Sequence, residues 1–180
     1  DIATNVIISA VDNAGHVATA PVFNVYKDTK APSIELKNLY DNLIITENDI
    51  NEGKITVKGS WNDNGGSGIN GGEANLEYSF DRTNFTSLET KTNSWEKAID
   101  LPVAIIEDGK ASVKESLDQK IYFKSIDAVG NELQNPLEYS IVIDTSAPNV
   151  GTTSLDNQYI GKNDSYKLEG TATDSLGLAK

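Results

Sequence analysis

The sequence predicts an all-β fold made of antiparallel sandwiches arranged in tandem. Apolar and polar residues alternate with period two through most of the predicted strands, as in strands that bury one face. In 12–15 and again in 127–130, an aspartate stands three residues before a glycine, a pattern that closes hairpins between such strands. The chain also repeats itself, because short motifs return in the same order at nearly constant spacing.

The internal repeat sets the expected domain organisation. Three pairs of segments match, namely 11–16 with 126–131, 27–32 with 143–148, and 57–63 with 168–174. Their offsets are 115, 116 and 111 residues, about the length of one small β-domain. We therefore expect one complete unit at 31–146. The last strands of a preceding unit would occupy 1–30, and the first strands of a following unit 147–180.

The complete unit contains about seven predicted strands, lettered A to G. They lie near 33–37, 54–61, 75–80, 95–100, 111–117, 120–127 and 137–144. This number and spacing are typical of an immunoglobulin-like antiparallel β-sandwich. A short extra strand is expected at 43–46 between A and B, and 81–94 is expected to form an exposed connection between C and D.

Alternation within the strands predicts the core. Ile55, Val57 and Trp61 share one face of strand B, so Trp61 is expected in the core. Trp95 is expected there too, with stacking on a sugar or a partner protein as the alternative. The apolar positions of F and G recur near the start of the chain: Ile121, Phe123 and Ser125 correspond to Val6, Ile8 and Ala10, and Tyr139 and Ile141 correspond to Phe23 and Val25.

Composition excludes several classes of function. The formal net charge is −12 and Arg82 is the only arginine, which argues against nucleic acid as a partner. One histidine, His16, and no cysteine argue against a zinc site and against a Ser-His-Asp enzyme, so we expect no catalytic activity. The longest apolar run, 101–106, is too short to insert into a membrane.

Several motifs together resemble a known family. They are Gly-Ser-Trp-Asn-Asp at 59–63 with Ser-Gly-Ile at 67–69, Leu-Glu-Tyr-Ser-Phe-Asp at 76–81, Ile-Asp-Ala-Val-Gly-Asn at 126–131, and Asp-Thr-Ser-Ala-Pro at 144–148. This ordered set resembles the bacterial immunoglobulin-like repeats of large surface adhesins and biofilm-associated proteins. The resemblance implies a non-catalytic stalk or spacer in a long extracellular protein on the bacterial cell surface. Its expected partners are neighbouring repeats and a ligand on a host or neighbouring cell.

Two other functions stay open at this point. The loops 64–74 and 81–94 could form the binding surface of a module that recognises a glycan or a host protein. Alternatively, the chain could be an accessory domain of a large secreted enzyme. The outer strands at both ends lack partners in the sequence, so we expect more of the same protein or a neighbouring chain to complete them.

The acidic residues suggest a calcium site at the junction between units. In a sandwich of this topology, the linker before strand A lies at the pole that carries the B–C and F–G loops. Carboxylates from these three segments would repel one another unless a cation neutralised them, and calcium prefers about six to eight oxygen ligands. Calcium-stiffened linkers are also what the family resemblance implies. The candidate ligands are Asp28, Asp63, Asp127 and Asn131 at one junction, and Asp144 and Asp174 at the next. The alternative is that these side chains only form turns.

Overall fold

The computed structural model describes residues 2–63, 75–90, 92–102, 104–107, 110–153 and 159–178. Over these residues the fold is all β, as predicted, with a single 3-10 turn at Glu47–Asp49. In chain order the strands are β1 (Ile2–Val6), β2 (Ser9–Val11), β3 (Val17–Thr19), β4 (Phe23–Lys27), β5 (Ser33–Leu36), β6 (Leu43–Thr46), β7 (Ile50–Asn51), β8 (Lys54–Asn62), β9 (Asn75–Ser79), β10 (Thr86–Ser87), β11 (Ser94–Asp100), β12 (Ala104–Glu107), β13 (Lys110–Val113), β14 (Ser116–Ile126), β15 (Leu137–Asp144), β16 (Asn149–Thr152) and β17 (Gly170–Thr173). The described residues contain no helix long and apolar enough to cross a membrane.

Two sheets enclose the core in the middle of the chain. One has the strand order β11-β8-β5, with β7 also paired to β8, and the other has the order β10-β9-β14-β15-β6. Neighbouring strands are antiparallel except β6, which runs parallel to β15. The predicted strands A, B, C, F and G are therefore β5, β8, β9, β14 and β15. The extra strand expected at 43–46 is β6, with the same bounds.

Two strand predictions need correction. The strand expected as D, β11, pairs with β8, which is the position of strand E in an immunoglobulin-like sandwich. The strand expected at 111–117 is split, because β13 ends at Val113 and β14 begins at Ser116. Three consecutive polar residues, 114–116, stand at this break between Val113 and Leu117.

The connection at 81–94 is only partly exposed, contrary to expectation. It contains β10, which extends the second sheet beside β9. Leu88 and Thr90 are buried, so this segment closes one side of the sandwich. The central part of this segment therefore belongs to the sandwich.

The core is a single cluster built from both sheets, as binary patterning predicted. Its fully buried members include Val57, Ile99, Phe123 and Ile141. Both tryptophans belong to it, with Trp61 4% and Trp95 6% exposed, so the core interpretation of each is confirmed. These side chains hold together the two faces of the sandwich.

The two ends of the chain form separate hairpins that copy the pairing of the sandwich. In the first hairpin Val6 pairs with Phe23, as Ile121 pairs with Tyr139 at the corresponding positions. In the last hairpin Val150 pairs with Ala172, as Ile34 pairs with Trp61. No other described strand pairs with β1–β4 or with β16 and β17, and their apolar side chains are largely exposed.

Candidate metal centre

Three aspartates from separate segments converge at one pole of the sandwich. Asp28 follows β4, Asp63 follows β8, and Asp127 follows β14. One carboxylate oxygen from each lies within 4.8 Å of the others. Asp127 is buried, whereas Asp28 and Asp63 are half-buried. The structure thus brings together three of the six residues that the sequence analysis proposed as ligands.

A tight turn fixes the carboxylate of Asp127. Its Oδ1 accepts hydrogen bonds from the amides of Val129 (2.9 Å) and Asn131 (2.8 Å), and its Oδ2 accepts one from Asn131 Nδ2 (2.6 Å). Gly130 has φ of 90°, which lets the chain turn back on itself here. Asn131 therefore positions Asp127, while direct ligation by Asn131 stays a prediction.

The linker that carries Asp28 is anchored to the same pole. The Lys30 amide donates to Asp28 Oδ1 at 3.1 Å, which forms a local turn. Pro32 is buried, and its carbonyl accepts a hydrogen bond from Ser125 Oγ at 2.7 Å. Because Ser125 lies two residues before Asp127, this contact ties the linker to the end of β14.

Asp63 reaches the cluster from the end of strand β8. Strand β5 follows the linker and pairs there with β8, and Ser33 Oγ donates to the Asn62 carbonyl at 3.0 Å. Hydrogen bonds from Ser33 and Ser125 therefore tie the linker to the ends of β8 and β14, in addition to those that the carboxylates of Asp28 and Asp127 accept. The cluster is held by the fold around it.

The arrangement favours a hard cation. Two carboxylates that lie within 4.8 Å of each other repel by roughly 3 kcal/mol at an effective dielectric constant of 20, and less where solvent screens them. A divalent ion would relieve this repulsion. Oxygen ligands alone fit calcium or magnesium better than they fit soft metals. Turn formation accounts for the backbone contacts of Asp28 and Asp127, but it does not require the three carboxylates to meet.

The second junction is built differently. Among the described residues, Asp144 and Asp174 do not complete a group of three acidic side chains like the first one. Asp174 Oδ1 accepts a hydrogen bond from the Leu176 amide at 2.9 Å. Asp144 Oδ1 is buried without a hydrogen-bond partner among the described residues. Ligation by Asp144 and Asp174 therefore stays a prediction.

Glu115 bridges this second junction, and the sequence analysis missed it. Its Oε1 accepts a hydrogen bond from the Ser146 amide at 2.9 Å, and its Oε2 accepts one from Ser175 Oγ at 3.0 Å. Hydrogen bonds from Ser146 and then Ser175 hold the pKa of Glu115 below its ordinary value. No sequence signal identified Glu115, because it stood inside a region predicted as one continuous strand.

The alternative binding loops are only partly visible in the structure. Residues 64–74 lie outside the described residues. Near the start of the 81–94 connection, an open groove is lined by Arg82 and Phe85 and by Lys124 on β14. Lys124 Nζ lies 3.1 Å from both a Glu77 and a Glu132 carboxylate oxygen, so its charge is already compensated within the protein.

His16 takes part in the turn between β2 and β3. Its Nδ1 lies 2.8 Å from Asp12 Oδ2 on an exposed turn. This is the place that Asn131 occupies beside Asp127, so the pair closes a turn in the same manner. The Asp12–His16 hydrogen bond lowers the pKa of Asp12.

Comparison with known proteins gives little further help. No protein-family model and no curated protein matches the chain. One solved structure that is similar is described as a "Ca2+-stabilized adhesin" that "helps an Antarctic bacterium reach out and bind ice". The identity is 15% and the TM-score 0.38, over 87% of this chain and 36% of that one, so the chain spans about a third of its length. A likeness this distant carries no function to the present chain.

Proposed function

We propose that this chain is a non-catalytic stalk segment of a long extracellular protein on the bacterial surface, with calcium stiffening the junctions between its immunoglobulin-like units. Its units would be 1–30, 31–146 and 147–180, and its direct partners the neighbouring units of the same protein. The observation that carries the proposal is the convergence of Asp28, Asp63 and Asp127 where the linker enters the sandwich.

The strand registers support the division into repeated units. The hairpin at 2–27 and the hairpin at 149–173 pair their strands in the register found at the corresponding positions of the middle sandwich. The turn chemistry also recurs. Asp12 accepts hydrogen bonds from the amides of Ala14 and His16, as Asp127 does from Val129 and Asn131.

The topology of the sandwich suits a load-bearing spacer. A pulling force would enter near Pro32 and leave near Asp144, at opposite ends of the unit. Strand β6 runs parallel to β15 over the four pairs from Leu43–Ile141 to Thr46–Asp144. Tension along the chain would load these hydrogen bonds together in shear, which resists extension better than opening them one by one.

Thermal unfolding in calcium and in excess chelator tests the metal site. Both tryptophans lie in the core of the middle sandwich, so their fluorescence reports the unfolding of that unit. We expect calcium to raise the midpoint, because a ligand that binds only the folded state stabilises it by RT ln(1 + [L]/Kd). Asp28→Asn should lose most of this shift.

Asp118→Asn provides the matched control, because it removes the same charge from an exposed aspartate on β14. It should keep the full calcium response. Equal midpoints of the wild-type protein in calcium and in chelator would assign the three aspartates to turn formation and sink the metal proposal.

The stalk function has its own test in the double variant Asp28→Asn, Asp127→Asn. Small-angle scattering in calcium should show a looser junction between residues 1–30 and the sandwich, while tryptophan fluorescence still reports a folded core. Unchanged scattering would argue against a junction that calcium stiffens.

A further inference from the structure

Strand β11 forms one edge of the sheet β11-β8-β5. Its seven residues pair with β8, and no other described strand pairs with it. Such an edge presents backbone amides and carbonyls on which the strand of another molecule can pair. Glu89, Thr92 and Glu96 line an open groove beside the first half of the edge, so a strand has room to approach it.

The ladder between β11 and β8 determines which backbone groups are free. The Trp61 amide donates to the Asn93 carbonyl at 2.9 Å, just before β11 begins. Hydrogen-bonded pairs recur at every second residue of an antiparallel ladder. Counting from Asn93, the odd-numbered residues of β11 therefore bond to β8. Glu96 and Ala98 turn their amides and carbonyls toward the free edge.

Lys97 is the one charged residue in the row of β11 side chains that faces the core. Trp95 and Ile99 flank it in this row and are buried, whereas Lys97 is half-buried. It has no carboxylate partner among the described residues. A lysine is tolerated in such a row because its stem covers apolar surface while its ammonium group reaches water past the free edge. A strand paired on that edge would close this route and bury the charge.

We propose that Lys97 prevents this edge from pairing with the same edge of a second copy of the chain. A two-fold antiparallel pair of β11 strands has three registers that overlap five residues or more. The register centred on residue 97 sets the two Lys97 side chains opposite each other. The register centred on 96 does the same with Glu96, and the one centred on 98 sets Glu96 opposite Asp100. Like charges directly opposite destabilise a strand pair, so all three registers are disfavoured.

The edge thereby discriminates between partners. Copies of the chain can lie side by side without merging into one continuous sheet, and the edge fits only a strand that places a carboxylate opposite Lys97. The outward row offers less resistance, because Glu96 is already paired with Lys58 at 3.0 Å on the neighbouring strand. Neither the metal site nor the two end hairpins takes part in this contact.

Hydrogen exchange at increasing protein concentration tests the proposal, because the amides of Glu96 and Ala98 become hydrogen-bonded only when the edge pairs. In the wild type both amides should exchange rapidly at every concentration. Lys97→Val removes the charge, so two copies should pair and both amides should exchange about tenfold more slowly, or slower still, once most chains are paired. Sedimentation velocity should show the corresponding dimer. Association through any other surface would leave these two amides exchanging rapidly.

Ala98→Val is the matched control, because it adds the same side chain to the outward row of β11 and keeps Lys97. Its Glu96 amide should exchange rapidly at every concentration. Rapid exchange of both amides in folded Lys97→Val at the highest concentration overturns the proposal, as does concentration-dependent protection of these amides in the wild type.

A charge reversal decides the question if Lys97→Val proves unfolded by tryptophan fluorescence. Lys97→Glu alone again sets like charges opposite each other and should behave as the wild type does. An equimolar mixture of Lys97→Glu with the wild type sets a carboxylate opposite an ammonium group, so exchange at Ala98 should slow as the total concentration rises. Exchange in the mixture that stays as fast as in either protein alone overturns the proposal.

Discussion

Gly59 lies where strand β8 passes against the ring of Trp95. A Cβ atom at this position would stand 2.4 Å from Trp95 Cζ2 and 2.7 Å from the Glu35 carbonyl oxygen. The carbonyl belongs to the neighbouring strand β5, so neither neighbour can move without disturbing the sheet or the core. The absence of a side chain therefore permits the indole to pack here.

We predict that Gly59→Ala destabilises the sandwich by about 1–3 kcal/mol, the usual cost of overpacking a core. Chemical denaturation followed by tryptophan fluorescence measures the loss. Thr56→Ala on the exposed face of the same strand should change the free energy of unfolding by no more than about 0.5 kcal/mol. Equal stability of Gly59→Ala and the wild type would show that the Trp95 ring can relocate.

Asp81 organises the turn after strand β9. Its carboxylate accepts hydrogen bonds from the amides of Thr83 (2.8 Å) and Asn84 (2.7 Å), from Asn84 Nδ2 (2.6 Å) and from Ser79 Oγ (2.9 Å). The bonds from Asn84 are the leading cause that holds the pKa of Asp81 well below its ordinary value of 3.8. The charged form is thus the one that the folded protein favours.

This lowered pKa gives a prediction with a definite sign. Above pH 3.8 the full contribution of Asp81 is present, and Asp81→Asn should lower the thermal midpoint by a few degrees. As the pH falls below 3.8, the unfolded state binds the proton first, so the wild type loses this advantage and the two midpoints converge. A difference that stays constant into the acid range would attribute the effect to something other than charge.

At the level of elements, strand β6 joins the edge of the second sheet by burying only one of its faces. Ile45 is 5% exposed and belongs to the core, whereas its neighbour Ile44 is 52% exposed. The two residues lie on the same strand and have the same type of side chain. They differ only in the face of the strand on which they lie.

Alanine substitution at these two positions isolates the contribution of that face. Ile45→Ala should cost about 2–5 kcal/mol, because it removes buried methyl groups and leaves a cavity. Ile44→Ala should stay within about 0.5 kcal/mol of the wild type. Denaturant unfolding measures both, and similar losses for the two variants would mean that strand pairing, not burial, holds β6 in place.

The strands that are bounded by a proline or by polar residues were predictable from the sequence. Both ends of β15 and of β6 match the expected bounds: the alternation of β15 starts after Pro136, and the apolar run 43–45 of β6 starts after Asn42 and is followed by Thr46 and Glu47. The boundary between β13 and β14 was missed, although the polar run 114–116 interrupts the apolar alternation there. The place of β11 beside β8 depends on tertiary pairing, which no local pattern encodes.

The candidate metal centre was predictable to the extent that topology determines it. Asp28, Asp63 and Asp127 follow from the repeat and from the pole at which strand A enters the sandwich. The position of Asn131 as a hydrogen-bond donor to Asp127, and the bridging contacts of Glu115, depend on side-chain geometry within loops. Sequence spacing carries no information on that geometry.

On the scale of the whole molecule, the two junctions connect neighbouring segments by different means. At the first junction, the hydrogen bond from Ser125 to the Pro32 carbonyl fixes the linker beside three converging carboxylates. At the second, Glu115 spans from the sandwich to both Ser146 in the linker and Ser175 beyond it. Thr145 Oγ1 adds a hydrogen bond to the Val113 carbonyl at 3.2 Å. Orientation along the chain therefore depends on a few polar contacts at each junction.

Glu115→Ala should loosen the second junction without unfolding the sandwich. Glu115 accepts hydrogen bonds from both sides of the linker but contributes nothing to the core, so removing it should free the Ser146 amide. Hydrogen exchange at that amide should accelerate, and small-angle scattering should show a broader distribution of shapes, while the tryptophan unfolding midpoint stays unchanged. Because the pKa of Glu115 lies below its ordinary value of 4.5, the wild-type junction should stay closed at neutral pH and loosen as the pH falls below 4.5.

Glu138→Ala, which removes the same charge from an exposed side chain on β15, should leave exchange at Ser146 unaffected. If Ser146 exchanges at the same rate in the wild type and in Glu115→Ala, the linker is held by the Thr145 contact instead, and Glu115 has no part in setting the orientation of the segment that follows.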